Sequence, residues 1–198
     1  MTVSSRIFLA ALLLVAGLFT APGSARAAES YDNCTGFIDS LPAAIGTQGV
    51  WCLRKNLATN ITTGHAIEIA ANNVTIDCND FKIGGLAAGD SSNAHGIYAN
   101  TRQNVTVRHC NVRGFYRGIY LQGGAGHLVE DNRLDNNLSK GIWAYGQGNN
   151  YNVVRRNRVY DTGGRTGRNY AYGIFAYAGI EDNVVSGLFA DVSGGTLG

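Results

Sequence analysis

The sequence lacks the short motifs that mark the common catalytic and cofactor sites. It has no nucleophile elbow, no phosphate-binding glycine loop and no Ser-His-Asp order typical of a hydrolase. Its cysteines form no CxxC pair, and none stands with a histidine at zinc-ligand spacing. A metal site is therefore not expected, and no cofactor is evident.

Long apolar runs are also lacking, with one exception at the start of the chain. Arg6 precedes an almost wholly apolar stretch over residues 7–18, and Ala25-Arg26-Ala27 forms an A-x-A cleavage signal. The stretch is shorter than the about 20 residues that a membrane-spanning helix needs. Residues 1–27 are therefore predicted to be a cleaved signal peptide. The mature chain of 171 residues is then a secreted or periplasmic protein with no membrane span.

The mature chain lacks an excess of either charge. Removal of the signal peptide takes away two of the 16 basic residues, which leaves 14 basic residues against 14 acidic ones. A balanced charge argues against nucleic acid and against an anionic membrane surface as partners.

Helical patterning is missing after residue 50, whereas glycine is abundant. The chain has 27 glycines and two prolines, a composition that suits tight turns and suits helices poorly. Before residue 50, Phe37, Ile38, Leu41 and Ile45 suggest one short amphipathic helix, and this helix is expected to cap the domain.

A repeat dominates the rest of the chain. One unit is a small residue followed by isoleucine, and its copies are Ala66-Ile67, Gly96-Ile97, Gly118-Ile119, Gly141-Ile142 and Gly173-Ile174. A second unit lies between these copies, as in Val129-Glu-Asp-Asn132, Val154-Arg-Arg-Asn157 and Ile180-Glu-Asp-Asn183. The isoleucines recur after 30, 22, 23 and 32 residues, so a basic coil of about 22 residues carries insertions over residues 84–93 and 162–170. Short alternating stretches between Asn and Gly clusters predict strands joined by corners. Such units bury their apolar faces only by stacking on one another.

These repeats resemble the right-handed parallel β-helix family, the class that includes pectate lyase-like and other secreted polysaccharide-active proteins. The resemblance covers about residues 50–190 and implies an all-β solenoid of about five coils. It also implies an asparagine ladder in one turn, at Asn132, Asn157 and Asn183, with cysteine in the ladder position of the first coils. The domain prediction is a signal peptide over 1–27, an N-terminal cap over 28–49 and a β-helix over 50–198. The β-helix is expected to be truncated at its C-terminal end, since no cap follows residue 191.

Two disulfides are expected in an exported chain with four cysteines. Cys34 with Cys52 ties the N-terminal segment to the domain, and Cys78 with Cys110 joins equivalent places on stacked strands about 4.8 Å apart. The alternative for the second pair is two small buried thiols.

Strand alternation assigns the two faces of each coil. The isoleucines of the repeat and the valines of the second unit point inward. The outward rows are then predicted to be Tyr98, Tyr120, Trp143 and Phe175 together with Asn100, Gln122 and Tyr145. An exposed aromatic stripe beside amides suits a polysaccharide, because rings pack on the C–H faces of sugars. The alternatives are rings that stack on each other for stability, and rings that the insertions or further coils cover.

A column of polar residues edges the same face: His65, His95, Arg117, Lys140 and Tyr172. Strict alternation points this column inward, but an apolar interior cannot hold unpaired cations, so the cations are expected in the turn at the cleft margin.

The resemblance suggests that Lys140 and Arg117 match the acid/base pair of some β-helix uronate lyases. Lys140 is then the base, and Arg117 stabilises the enolate-like charge. The calcium-binding carboxylates of those families are not visible, so Ca²⁺ is possible but unsupported. Solvated turn cations are the alternative.

A glycoside hydrolase needs two facing carboxylates, and Glu68 is the one acid in the face rows. The sequence therefore predicts a secreted β-helix protein that contacts or processes a polysaccharide, with a lyase favoured over a hydrolase if it is an enzyme. The alternative is a non-catalytic adhesion or structural protein. The oligomeric state is left open.

Overall fold

A computed structural model describes residues 31–146, 151–165 and 170–189 of the chain. The predicted signal peptide and the residues after 189 lie outside these ranges. The described chain winds as a solenoid with three short strands in each complete coil. Nineteen strands are present there: β1 (Gly36–Ile38), β2 (Ala43–Ile45), β3 (Gly49–Leu53), β4 (Leu57–Ala58), β5 (His65–Ile69), β6 (Val74–Asp77), β7 (Lys82–Gly84), β8 (His95–Asn100), β9 (Thr106–Arg108), β10 (Asn111–Arg113), β11 (Arg117–Gln122), β12 (Leu128–Glu130), β13 (Arg133–Asp135), β14 (Lys140–Tyr145), β15 (Val153–Arg155), β16 (Arg158–Gly163), β17 (Tyr172–Ala176), β18 (Gly179–Glu181) and β19 (Val184–Phe189).

The strands form three parallel sheets. The aromatic sheet contains β2, β5, β8, β11, β14 and β17; the ladder sheet contains β1, β3, β6, β9, β12, β15 and β18; the third sheet contains β4, β7, β10, β13, β16 and β19. Each complete coil therefore contributes one strand to each sheet, and neighbouring coils pair in register. The described helical structure is one 3₁₀ turn, Leu86–Ala88, in the first insertion. The all-β parallel solenoid predicted from the repeats is confirmed, with about six coils rather than five.

The prediction of an N-terminal helix is wrong. The segment forms strands of an additional coil instead. Phe37 and Ile38 lie in β1, which pairs with β3, and Ile45 lies in β2, which pairs with β5. Pro42 interrupts the stretch, and a proline inside a helix costs about 3 kcal/mol. Strand pairing instead buries Ile38 and Ile45 almost completely. Parallel pairing thus begins at Gly36, inside the segment expected to form a separate cap.

The core consists of one apolar column from each sheet. Residues that are 0% exposed include Ile67, Ile97, Ile119 and Ile142 of the aromatic sheet, Val107, Val129 and Val154 of the ladder sheet, and Ile83, Val112, Leu134 and Val159 of the third sheet. Each fully buried side chain of this size contributes about 1.5–3 kcal/mol to folding. The inward prediction is confirmed for the isoleucines of the aromatic sheet and the valines of the ladder sheet in this list. In the last described coil Ile174 is half-buried and Ile180 is 54% exposed.

Both predicted disulfides are present. Cys34 and Cys52 join with their Cα atoms 5.8 Å apart, and Cys78 and Cys110 join with theirs 4.7 Å apart. The second bridge spans two coils at the corner where the ladder sheet ends.

An amide ladder continues this corner through the later coils. The Cys110 N–H donates to Oδ1 of Asn132 at 3.0 Å. The Asn132 amide donates to Oδ1 of Asn157 at 2.9 Å, and the Asn157 amide donates to Oδ1 of Asn183 at 3.0 Å. Each side chain thereby satisfies backbone and amide groups that are shut off from water.

The other two corners hold buried polar groups that the repeat did not reveal. Asn137, which is 0% exposed, accepts from the Phe115 N–H and donates to the Val112 carbonyl, both at 3.1 Å. At the remaining corner, His127 accepts at Nδ1 from the Val105 N–H, and its Nε2 donates to the Gly123 carbonyl at 3.0 Å. Burial lowers the pKa of His127, which favours the neutral imidazole that these two bonds require.

A break in strand alternation sets the surface of the aromatic sheet. A Cβ placed on Gly118 lies 2.7 Å from Cδ2 of Leu134, a core side chain, so this glycine points inward. Ile119 is also buried, so two successive residues face the core. The same holds for Ala66 and Ile67, both 0% exposed. Because two successive residues face the core, the residues on either side of them lie on the same outer face of the sheet. Arg117 and Tyr120, which flank Gly118 and Ile119, are one such pair.

We expect Gly118→Ala to destabilise the fold by about 1–3 kcal/mol, the usual cost of overpacking a tight core site. Its Cβ meets the Gly141 carbonyl oxygen at 2.7 Å as well as Leu134, and a backbone atom cannot move aside cheaply. Gly46→Ala is the matched control, because a Cβ there meets nothing within 4 Å. Urea unfolding measures both variants, and an equal effect of the two would contradict the inward assignment of Gly118.

Candidate functional site

The candidate site is the outer face of the aromatic sheet. Two columns of the repeat meet there: the cationic and imidazole column of His65, His95, Arg117 and Lys140, and the ring column of Tyr98, Tyr120, Trp143 and Phe175. The expectation that Arg117 and Lys140 lie in the turn is wrong, since they are the first residues of β11 and β14. The inward glycines bring the two columns onto one side of the sheet.

The rings of the second column stack along the axis of the solenoid. Ring centroids are 5.2 Å apart between Tyr98 and Tyr120, 4.9 Å between Tyr120 and Trp143, and 5.7 Å between Trp143 and Phe175. Each such pair adds about 0.5–1.5 kcal/mol beyond area burial. Tyr120 is only 8% exposed, whereas the other three rings are half-buried. The stripe is therefore partly packing and partly surface.

The cations lie against these rings rather than in solvent. The Arg117 guanidinium carbon is 4.3 Å from the Trp143 ring centroid and 4.5 Å from that of Tyr120. The Lys140 Nζ atom is 4.5 Å from the Trp143 centroid and 5.2 Å from that of Tyr172, and Lys140 is 6% exposed. Cation–π attraction thus holds both charges in a partly desolvated position.

Two histidines continue the cationic column toward the N-terminus. His65 stacks on Tyr98 with centroids 3.8 Å apart. Burial, the Arg117 charge and His65 lower the pKa of His95 to about 3. A neutral His95 can accept at Nε2 from Arg117 Nη1, which lies 3.2 Å away. Burial also lowers the pKa of His65 and raises the pKa of Tyr98 and of Tyr120.

A more open row runs beside the stacked rings. It consists of Asn100, Gln122, Tyr145 and Tyr177, and the first three pair in Cα register across β8, β11 and β14. Both amides are exposed, and Gln122 Oε1 accepts from the Tyr120 hydroxyl at 2.6 Å. Tyr145 is half-buried, Tyr177 is 56% exposed, and their centroids are 5.3 Å apart. This row presents hydrogen-bonding amides and aromatic rings to solvent.

Glu68 stands apart from the cations. It is exposed on β5, in register with Tyr98, and thus lies three coils from the strand of Lys140. Asp90 and Asp161 line a different groove, together with Leu86 and Phe189. Among the described residues, no group of three or more His, Cys, Asp or Glu side chains is placed to hold a metal ion.

The two insertions contact each other at the edge of the site. Arg165, in the second insertion, donates to the Ser92 carbonyl of the first at 2.6 Å. Its guanidinium carbon lies 4.5 Å from the Tyr116 centroid, and the Tyr170 centroid lies 5.1 Å from Lys140 Nζ. Sequence reasoning missed Arg165, Tyr116 and Tyr170 because they are outside the repeat. Their one signal is an aromatic or cationic side chain, which lies in the second insertion for Arg165 and Tyr170 and in the turn before β11 for Tyr116.

The fold and this face define a three-sheet parallel β-solenoid. The family model for the right-handed β-helix region matches residues 44–191, and the chain therefore belongs to the right-handed β-helix family. No solved structure matches the chain. In the part of the chain described, no helix is long and apolar enough to cross a membrane.

We expect the stability of the protein to fall as the pH is lowered from about 6.5 to about 3, with His95 contributing. In the unfolded chain His95 takes up a proton near its ordinary pKa of 6.5, whereas in the folded protein it stays neutral down to about pH 3. The unfolded state therefore binds more protons in this window, at a cost of at most about 1.4 kcal/mol per pH unit for one group. Urea unfolding between pH 4 and pH 7 measures this slope.

The variant His95→Gln keeps an acceptor for Arg117 but does not titrate, so its stability should depend less on pH. An unchanged slope in His95→Gln would contradict the assignment of a neutral, half-buried His95.

Proposed function

We propose that this protein binds a polysaccharide along the outer face of its aromatic sheet. The observation that carries the proposal is the open row beside the stacked rings, where Asn100, Gln122, Tyr145 and Tyr177 follow one another coil by coil. Rings supply apolar area for the C–H faces of sugars, and amides supply both donors and acceptors for hydroxyl groups. A repeating row suits a repeating ligand.

The stacked rings behind this row support the proposal by their rigidity. Tyr120, Trp143 and Arg117 fix one another through stacking and cation–π contacts, and Tyr120 in turn bonds to the Gln122 amide. A surface that is ordered before binding loses less conformational entropy when a ligand arrives. The half-buried edges of Tyr98, Trp143 and Phe175 then extend the contact area beyond the open row.

The protein is proposed to act outside the cytoplasm. Two disulfides are compatible with an extracellular protein, because such bonds persist in oxidising compartments. The proposed signal peptide over 1–27 and its A-x-A cleavage site add the sequence argument for export.

A polysaccharide lyase is the second candidate function, favoured by the adjacency of Arg117 and Lys140 in Cα register. In that role Lys140 takes the proton α to a uronate carboxylate and Arg117 stabilises the enolate-like charge. The rings of Tyr170 and Tyr172 lie over Lys140, so substrate entry requires them to move aside. Glu68 is the remaining catalytic candidate, but a hydrolase needs a second carboxylate facing it.

A panel of acidic and neutral polysaccharides tests binding by retention of the purified mature protein. Tyr145→Ala and Tyr177→Ala should each weaken retention by about tenfold, the scale of a loss of 1.4 kcal/mol at an aromatic contact. Tyr31→Ala is the matched control, since Tyr31 packs on Phe37 at the N-terminal end of the solenoid. Wild-type retention that survives in both face variants would overturn the proposed binding face.

The same assay separates the catalytic and non-catalytic readings when unsaturated-uronate absorbance is followed with and without calcium. A lyase produces absorbance that Lys140→Met abolishes while binding persists. Retention without product assigns a non-catalytic binding or adhesion protein. If neither retention nor absorbance is observed, the ring stack serves only as packing, as in a purely structural protein.

A further inference from the structure

A charged groove lies away from the aromatic sheet, at the corner where the ladder sheet turns into the third sheet. Its volume is about 520 Å³, within the range of about 300–1,000 Å³ usual for ligand sites. Six charged residues line it along the axis: Asp80, Asp131, Arg133, Arg156, Arg158 and Asp182. The polysaccharide face proposed above belongs to the aromatic sheet and includes none of them.

Like charges are stacked in this groove. The first residues of the third-sheet strands pair in Cα register in the order Lys82, Asn111, Arg133 and Arg158. Arg133 and Arg158 are therefore direct neighbours, one strand spacing of about 4.8 Å apart. Like charges directly opposite each other in a sheet are destabilising. The pair costs the fold stability unless an anion lies against it.

The other arginines of these two sheets and their shared turn each have a carboxylate. Arg108 bonds to Asp77 at 2.7 Å, Arg113 to Asp135 at 3.0 Å, and Arg155 to Glu130 at 2.8 Å. In the described ranges, no carboxylate lies within ion-pair distance of Arg133 or Arg158. Arg133 lies instead 5.4 Å from the Tyr160 centroid, and both arginines are exposed. Among the arginines of these two sheets and their shared turn, Arg133 and Arg158 are therefore the exceptions.

The carboxylates of the groove are arranged around the pair. Asp131 is already bound by Arg156 through two bonds of 2.9 and 2.7 Å, and these bonds lower the pKa of Asp131. Asp80 lies on the coil toward the N-terminus and Asp182 on the last described coil, so both are exposed at the ends of the groove. The groove is thus cationic in its centre and acidic at its ends.

We propose that this groove binds a sulfated sugar chain, with one sulfate group bridging Arg133 and Arg158. A tetrahedral oxyanion presents three terminal oxygens and can accept from two guanidinium groups at once, whereas a carboxylate satisfies one guanidinium fork with its two oxygens. Sugar hydroxyls donate to the carboxylates at the two ends. A polyanion such as nucleic acid meets repulsion there, because its charge repeats without interruption.

A heparin-derived hexasaccharide and its fully desulfated counterpart test this site by isothermal titration calorimetry at 0.15 M salt. The sulfated form should bind, and the desulfated form should bind at least about tenfold more weakly. Arg133→Gln and Arg158→Gln should each weaken binding of the sulfated form about tenfold, the scale of one charge-assisted hydrogen-bonded pair, and the double variant should lose it. Higher salt should weaken the binding of the wild type.

Lys55→Gln is the matched control, since it removes one exposed cation outside the groove and should leave the affinity unchanged. Thermal unfolding of the double variant checks its fold, and removal of the like-charge pair should leave its Tm equal to or above that of the wild type. Equal binding of the two hexasaccharides, equal binding of the double variant and the wild type, or equally strong competition by a DNA duplex would each overturn the proposal.

Tyr177→Ala separates this proposal from the polysaccharide face. If Tyr177→Ala loses the sulfated hexasaccharide while Arg133→Gln and Arg158→Gln keep it, the ligand lies on the aromatic sheet and the groove proposal fails. If the arginine variants alone lose it, the groove proposal holds whatever the outcome at the aromatic sheet.

Discussion

In-register parallel pairing of successive coils, with strands about 4.8 Å apart, places each repeat position directly above the same position of the coil before it. A side chain must therefore be compatible with the side chain at the same position of the neighbouring coil. Apolar columns meet this demand by close packing, and the corner amides meet it by bonding to one another, as Asn132, Asn157 and Asn183 do. Where charges fall in a column they alternate in sign, as from Asp77 to Arg108, or they are left uncompensated, as at Arg133 and Arg158.

The same stacking builds the candidate site. Because Gly118 and its equivalents turn inward, two columns that strict alternation would separate share one face, and Arg117 and Lys140 come to lie against the rings of Tyr120 and Trp143. The resulting array is rigid and repeats along the axis, which are the properties that a binding face for a chain-like ligand requires. The buried fraction of these rings stabilises the fold, and the open fraction, together with the exposed amides, is available for binding.

The architecture could be predicted from the sequence because stacked coils require similar residues at regular intervals along the chain. The inward isoleucines and valines followed from positions that recur from coil to coil, and both disulfides followed from four cysteines in a chain predicted to be exported. Three features did not follow. The amphipathic pattern around Ile45 fits a helix, but pairing of β2 with β5 overrode it. The place of Lys140 depends on a break in strand alternation, in which the glycine before the isoleucine also faces the core. A glycine at that position does not by itself predict such a break. The contact of Arg165 with Ser92 joins two insertions, whose sequences carry no period.

The claim that a glycan lies on the aromatic sheet is tested most directly by the fluorescence of Trp143. The chain has two tryptophans, and Trp51 lies on β3 of the ladder sheet, so Trp51→Phe leaves Trp143 as the single reporter within the stack. Titration of that variant with a polysaccharide that the protein retains should shift and saturate the Trp143 emission, since a sugar ring displaces water from its exposed edge. Retention of the polysaccharide with no change in the emission of Trp143 would contradict this account of the face.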